Sequence, residues 1–301
     1  MNIYRWLLLL VLLPLLGWSL VAEGRTVHTG STIRTKGSDT MLGLSARWAA
    51  GYQAQTPGMA VEVAGGGSGN GIAALINGHV EIANASRPLK TQEVRQIVAR
   101  SGQQPVLFLV GMDAVSVVVH PLNPLHGLAM KQLADIYGRD GAVRSWKNLG
   151  VVVPGCEDRD IVRVSRKNNS GTYYGFREDL LKRGQHFHQH MEFVDTSEAV
   201  VQRVAQMPCA IGYVGMGFVT AAVKTLCLAR EGGPCVPPTA ASALERRYPL
   251  ARNLYMVTMG PPSDSVKGYL QWILGPVGQD ILKKSGFVPA PRQETGVAPV
   301  H

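Results

Sequence analysis

The chain has no cluster of basic residues interleaved with aromatics, although its formal net charge is +9. Nucleic-acid binding proteins carry such a stripe, so the scattered Lys and Arg side chains describe instead a field that attracts small anions. Neither G-x-S-x-G nor S-x-x-K occurs, and no His stands where it could serve as the base for Ser38, Ser68 or Ser170. That removes the usual nucleophile motifs and favours binding over catalysis. Beyond residue 22 no apolar run is long enough to span a bilayer, and there is no fixed-period repeat or low-complexity segment.

The start of the chain sets the compartment. Arg5 precedes an uncharged, Leu-rich stretch from Trp6 to Ala22, and Ala22-Glu23-Gly24 offers small residues for cleavage. This pattern predicts a secretory signal peptide over residues 1–24 and a periplasmic mature protein. The stretch is short for a membrane anchor, contains Pro14 and lacks a basic stop-transfer flank. Within the leader Arg5 is the only charged side chain before Glu23, and its removal leaves enough chain for two domains of ordinary size.

Cysteine is scarce: Cys156, Cys209, Cys227 and Cys235. None lies near the cleavage region, which argues against a bacterial lipid anchor, and the Cys-x7-Cys spacing has no His beside it to make a zinc site. In an exported chain four cysteines point to two disulfides, with three possible pairings. Cys227 and Cys235 bracket the loop Gly232-Gly233-Pro234, so that pair is expected, leaving Cys156 with Cys209.

What is abundant is a strand that stops at a Ser, Thr or Gly loop and restarts as a helix. Ile161-Val162-Arg163-Val164 leads into Arg166-Lys167-Asn168-Asn169-Ser170-Gly171-Thr172 and then a helix-like run from Tyr173. Hydroxyls beside a Gly at a helix start add donors to unpaired backbone N–H groups at the positive end of the helix dipole. Arg166 could add a planar, two-pronged donor for an oxyanion; the plainer alternative is a Ser/Thr cap with a surface Arg. Thr32-Ile33-Arg34-Thr35 stops likewise at Lys36-Gly37-Ser38-Asp39-Thr40, before a helix with Met41, Leu44, Trp48 and Tyr52 on one face. Ala60-Val61-Glu62-Val63 runs into a Gly-rich loop, 65–71, with a helix from Ile72. Gly69 to Ala74 fits the G-x-G-x-x-A dinucleotide pattern, but Pro88-Leu89-Lys90-Thr91 stands where the acidic ribose ligand belongs, so that reading is rejected.

Further along, Val80 to Ala85 ends at Ser86-Arg87-Pro88, and Val94, Ile97 and Val98 mark a helix. Val106 to His120, broken by Gly111-Met112-Asp113, is too long for one typical strand and reads as two strands with a crossing between domains. Helices are expected at Met130 to Tyr137, from Asp195-Thr196-Ser197-Glu198, and within Val266 to Leu282, with strands at Ala210 to Gly215 and Asn253 to Thr258. His186, His188 and His190 alternate, either as a metal site on a strand or as a solvated polar segment; the missing carboxylate or Cys ligand favours the second. The alternation of strands and helices predicts α/β domains with largely parallel sheets.

These residues together resemble the periplasmic phosphate-binding proteins of phosphate ABC transporters, in the type II periplasmic binding protein superfamily. The resemblance spans about residues 30 to 290 and rests on Gly37-Ser38-Asp39-Thr40, the Ser68 loop, Ala85-Ser86-Arg87, Arg166-x-x-x-Ser170-Gly171-Thr172, Ala210 to Gly215, and Trp272 through Gly286-Phe287-Val288-Pro289. It implies two α/β domains joined by crossing strands, 25–113 with 256–301 and 114–255, and a ligand in the cleft between them. It further implies that Arg166, Ser170, Gly171 and Thr172 bind phosphate from one domain, and Ser38, Asp39, Thr40, Ser68, Gly69, Ser86 and Arg87 from the other.

The implied protein is a non-enzymatic, monomeric receptor that delivers phosphate to a permease and ATPase, with no cofactor, metal or nucleic acid. A sulfate or other oxyanion receptor, or an exported phosphate-ester hydrolase, is the alternative. Where some members have Ser-Asp, with the Asp accepting the proton of hydrogen phosphate, this chain has Ser86-Arg87. Either Asp39 substitutes or the ligand is another oxyanion.

Overall fold

The computed structural model describes residues 31–181 and 184–289; the expected leader lies outside them. The first half alternates strand and helix: β1 (Ser31–Gly37), α1 (Asp39–Gln55), β2 (Met59–Ala64), α2 (Ser68–Ile76), β3 (Ile82–Ala85) and α3 (Thr91–Ser101), ending in a long strand, β4 (Val106–Val119). The second half contains β5 (Gly127–Ala129), α4 (Met130–Tyr137), β6 (Val162–Arg166), α5 (Gly171–Leu180), β7 (Glu192–Val194), α6 (Ser197–Gln206), β8 (Ala210–Gly215), β9 (Lys224–Thr225), β10 (Cys227–Ala229) and α7 (Ala240–Leu244). The chain returns along β11 (Ala251–Thr258) and closes with α8 (Asp264–Leu274) and α9 (Pro276–Lys284).

One sheet runs through both halves in the order β2-β1-β3-β11-β4-β8-β6-β7, with β9 added to β4. Both ends are parallel, as βαβ crossovers require, while β11 and β4 run antiparallel in the middle. The predicted break in the Val106 to His120 run is absent: β4 is a single strand that pairs with β11 up to Ala114 and with β8 from Val115 onward. Two local features replace the break. The register slips opposite Leu254 and Tyr255, and Gly111 leaves room for Leu282, whose Cδ1 would lie 2.4 Å from a Cβ there. Asp113 is fully buried on this strand and ion-paired to Arg252, so a polar residue that resembled a turn is an interior charge with a partner.

The apolar face of α1 is buried as its spacing predicts. Met41, Leu44, Trp48 and Tyr52 pack with α8 and α9, and the Trp48 indole donates to the Gly278 carbonyl at 2.7 Å. At α2 the prediction is late by a turn: the helix begins at Ser68, not Ile72. Gly71 can start it close to β1 because it has no side chain, a Cβ there falling 2.3 Å from the Lys36 carbonyl oxygen. In the histidine segment Gln185, His186, Gln189 and His190 are exposed, as a solvated polar stretch would be, while Phe187 and His188 are buried, Phe187 bridging Gly138 and His188 touching Arg144. Burial and then the neighbouring Arg163 and Arg144 hold the His188 pKa below its usual value. The disulfides are Cys156–Cys209 and Cys227–Cys235, the expected pairing.

Candidate functional site

Three helix starts converge between the halves. α1 and α2 follow the C-terminal ends of β1 and β2, and α5 follows β6, so loops at strand ends carry the polar residues while the strands remain apolar. Ser38, Thr40, Ser68, Ser86, Ser170 and Thr172 are all buried, each with 3% exposure or less. Water cannot solvate such hydroxyls, so they must bond to each other or to a ligand.

One of their contacts crosses the cleft and the others gather the hydroxyls of the first half. The Thr40 and Thr172 hydroxyls lie 2.9 Å apart, and Ser38 Oγ donates to Ser86 Oγ at 3.0 Å. Ser68 Oγ accepts the Ser86 amide at 3.2 Å. Gly171 faces this group at the start of α5, where a Cβ would sit 2.2 Å from Ser68 Oγ and 2.4 Å from Ser86 Oγ. Any side chain there would push the halves apart. Ser170 is the cap of α5, its Oγ accepting from the Thr172 and Tyr173 amides. A hydroxyl has one proton and two lone pairs, so these bonds leave the Ser170 proton available to an anion.

Arg166 is 1% exposed and joins the halves: its Nη2 donates to Asp39 Oδ2 at 2.7 Å and to the Asp195 carbonyl at 2.6 Å, while Nη1 reaches Ser197 Oγ at 3.1 Å. Asp39 Oδ1 in turn accepts the Gly66 amide at 2.6 Å. Asp39 therefore holds the Gly-rich loop and the arginine together, and is the first residue of α1 with Ser38 as its cap position. The Ser38 hydroxyl makes no capping bond; it points to Ser86.

Two expected site residues are engaged elsewhere. The Gly69 amide donates to the Asn169 carbonyl at 3.3 Å, and Asn169 Nδ2 donates to the Gly66 carbonyl at 2.9 Å, a latch across the cleft mouth. Arg87 is buried but directed away from the hydroxyls, with both terminal nitrogens on Glu93 at 2.8 and 2.7 Å and its guanidinium 5.0 Å from the Tyr174 ring. The Glu93 carboxylate in the first turn of α3 accounts for this, a pairing that the Ser86-Arg87 sequence alone does not reveal.

Sequence reasoning missed the support beneath the cradle. Arg252 on β11 and Asp113 on β4 are register partners, with Nη2 and Nε 2.7 and 3.0 Å from Asp113 Oδ2. Asn169 and Ser197 were also missed. The sequence signal for Asp113 is a charge inside the apolar run Val106 to His120, and for Arg252 a charge at the start of the returning strand. Below Arg166, Ser165 Oγ lies 2.6 Å from the Tyr213 hydroxyl, and Tyr213 stacks on Phe176 at 3.8 Å, forming a rigid floor; burial raises the Tyr213 pKa.

Such an arrangement can bind a small tetrahedral oxyanion by hydroxyls, amides and a guanidinium, and the cradle hydroxyls have no imidazole among their hydrogen-bond partners. A profile of the PBP superfamily domain matches residues 23–277. The phosphate-binding protein PstS of Pseudomonas aeruginosa is 33% identical over 266 residues, covering 85% of this chain and 82% of that protein. SphX of Synechococcus elongatus is 29% identical over 86% of this chain and 77% of its own length. Among solved structures, a substrate-binding protein assigned to a phosphate ABC transporter of Clostridium perfringens, with phosphate bound, is similar at a TM-score of 0.75 and 26% identity, covering 87% of this chain and 100% of that one. The parallel sheet ends, the two antiparallel crossing strands and the cradle between them thus accompany sequence similarity over most of the chain, and the protein belongs to the PBP superfamily, among the relatives of PstS.

Proposed function

We propose that this protein is an exported receptor that captures inorganic phosphate between its two domains, 25–113 with 256–301 and 114–255, and delivers it to the permease and ATPase of an ABC importer. The observation that carries the reading is the set of six buried hydroxyls from both halves, with Thr40 meeting Thr172 across the cleft and Gly171 set against Ser68 and Ser86. In this reading Ser38, Thr40, Ser68, Ser86, Ser170 and Thr172 donate hydroxyl protons, the starts of α1 and α5 present amides, and Arg166 neutralises charge. Gly171 keeps the approach close. The similarity to PstS and to the phosphate-bound structure from Clostridium perfringens supports phosphate as the ligand. The match of the superfamily profile from residue 23 agrees with a leader ending near there. The receptor reading treats the protein as a monomer without catalytic activity.

Titration calorimetry with phosphate and sulfate, run beside a phosphatase assay on a monoester, tests it. Phosphate binding at one site without turnover is expected. Arg166→Ala should fold and lose about 2–5 kcal/mol of binding, the cost of removing one partner from a buried charged contact. Preference for sulfate, ester turnover, or wild-type affinity in the mutant would each contradict the assignment.

A further inference from the structure

We propose that Arg252, carried on the crossing strand β11, is a second guanidinium ligand of the anion, held ready by Asp113. This inference rests on the phosphate-receptor reading and extends its site to the hinge. Buried guanidinium nitrogens normally have partners, because an N–H withdrawn from water loses its hydrogen bond. Among the described residues two buried guanidinium nitrogens have none: Arg166 Nε and Arg252 Nη1. They belong to the two arginines that contact the residues of the cradle.

Arg252 reaches that cradle directly. Its Nη2 donates to Thr40 Oγ1 at 3.2 Å. A guanidinium can only donate, so Thr40 must accept there, and its own proton is left to point toward Thr172 or toward a bound anion. Arg252 also lines a 390 Å³ cavity with Ser86, Arg87, Tyr174 and Asp179; of the six hydroxyl residues of the cradle, Ser86 is the one that borders it. Through Thr40 the cation thus reaches the hydroxyl cradle and is not merely packed in the sheet.

Asp113 explains how a buried cation can stand there. It is fully buried, holds Nε and Nη2 of Arg252 through Oδ2, and accepts the Met216 amide through Oδ1 at 2.9 Å. That leaves Nη1 as the free corner of the guanidinium. A structural ion pair would gain from having every nitrogen satisfied, whereas a ligand-binding arginine keeps one donor for its ligand. Since β4 and β11 are the strands that join the halves, the anion would bond the hinge as well as both walls of the cleft.

The test compares phosphate titrations of the wild type, Arg252→Lys, Asp113→Asn and the double variant Asp113→Asn/Arg252→Met. The double variant removes both buried charges together, so it avoids stranding a lone carboxylate and remains a fair test if Arg252→Met alone fails to fold. Circular dichroism checks each fold. The double variant is expected to lose at least tenfold in phosphate affinity, Asp113→Asn to lose less because it keeps the guanidinium, and Arg252→Lys to fall between. Nitrogen NMR of the arginine side chains should show Arg252 Nη shifting on addition of phosphate. A folded double variant within twofold of the wild type, or an Arg252 resonance that does not move, overturns the proposal while leaving the receptor reading intact. A wild type that binds no phosphate overturns both.

Discussion

At the scale of single residues the open chemical question is how one oxyanion is told from another. Near neutral pH phosphate carries at least one proton and sulfate carries none, so a buried carboxylate accepts a hydrogen bond from the first and meets only lone pairs of the second. Asp39 is the carboxylate at the cradle's edge, and each of its oxygens has one contact, Gly66 N on Oδ1 and Arg166 on Oδ2. A second lone pair on each oxygen remains. Asp39→Asn should keep the fold, lose part of the preference for phosphate and gain measurable sulfate binding. Competition titrations of both anions decide it: an unchanged ratio would assign Asp39 a purely structural role and direct attention to Asp113.

Among the elements, the second half is the one tied by covalent links. Cys156–Cys209 closes a separation of 53 residues, whereas Cys227–Cys235 spans 8. On the chain-entropy account the longer loop restrains the unfolded state more, by about 4 kcal/mol against about 2.5. Removing the first pair by Ser substitution should therefore lower stability in urea by about 1–2 kcal/mol more than removing the second. Equal losses, or the reverse order, would show that packing around Cys227 and Cys235 outweighs loop entropy. The helix starts are elements of another kind. α5 is capped by Ser170 while presenting Gly171 and Thr172, so one short loop both begins a helix and builds a wall of the site.

For the whole molecule, the cleft contacts describe a closed form. The Arg166–Asp39 pair, the Thr40–Thr172 contact, the Asn169 latch and the stacking of Arg87 and Lys90 on Tyr174 all join the two halves. A small anion can meet donors from both sides only in such a form, so phosphate should shift a hinge equilibrium toward it. Small-angle scattering is expected to show a smaller radius of gyration with phosphate than without. Identical curves, with binding present by calorimetry, would mean that the closed form already dominates without ligand.

Much of this was written into local sequence. The helix starts at Ser38 and Ser170, the stripe of Met41, Leu44, Trp48 and Tyr52, and the Cys227–Cys235 disulfide follow from neighbours a few residues apart, where hydrophobic spacing, caps and loop length act, and Cys156–Cys209 follows by elimination. So did the candidate hydroxyls and Arg166, since a strand that ends in Ser, Gly and Thr before a helix exposes donors whatever lies opposite. Only the tertiary structure decided which of these donors meet. It sent Arg87 to Glu93 and Tyr174, turned the Gly69 amide to Asn169, and paired Asp113 with Arg252 across 139 residues of chain. Those outcomes depend on which charges face each other once strands are in register, and a side chain's partner across a sheet or a cleft leaves no periodic mark in the sequence.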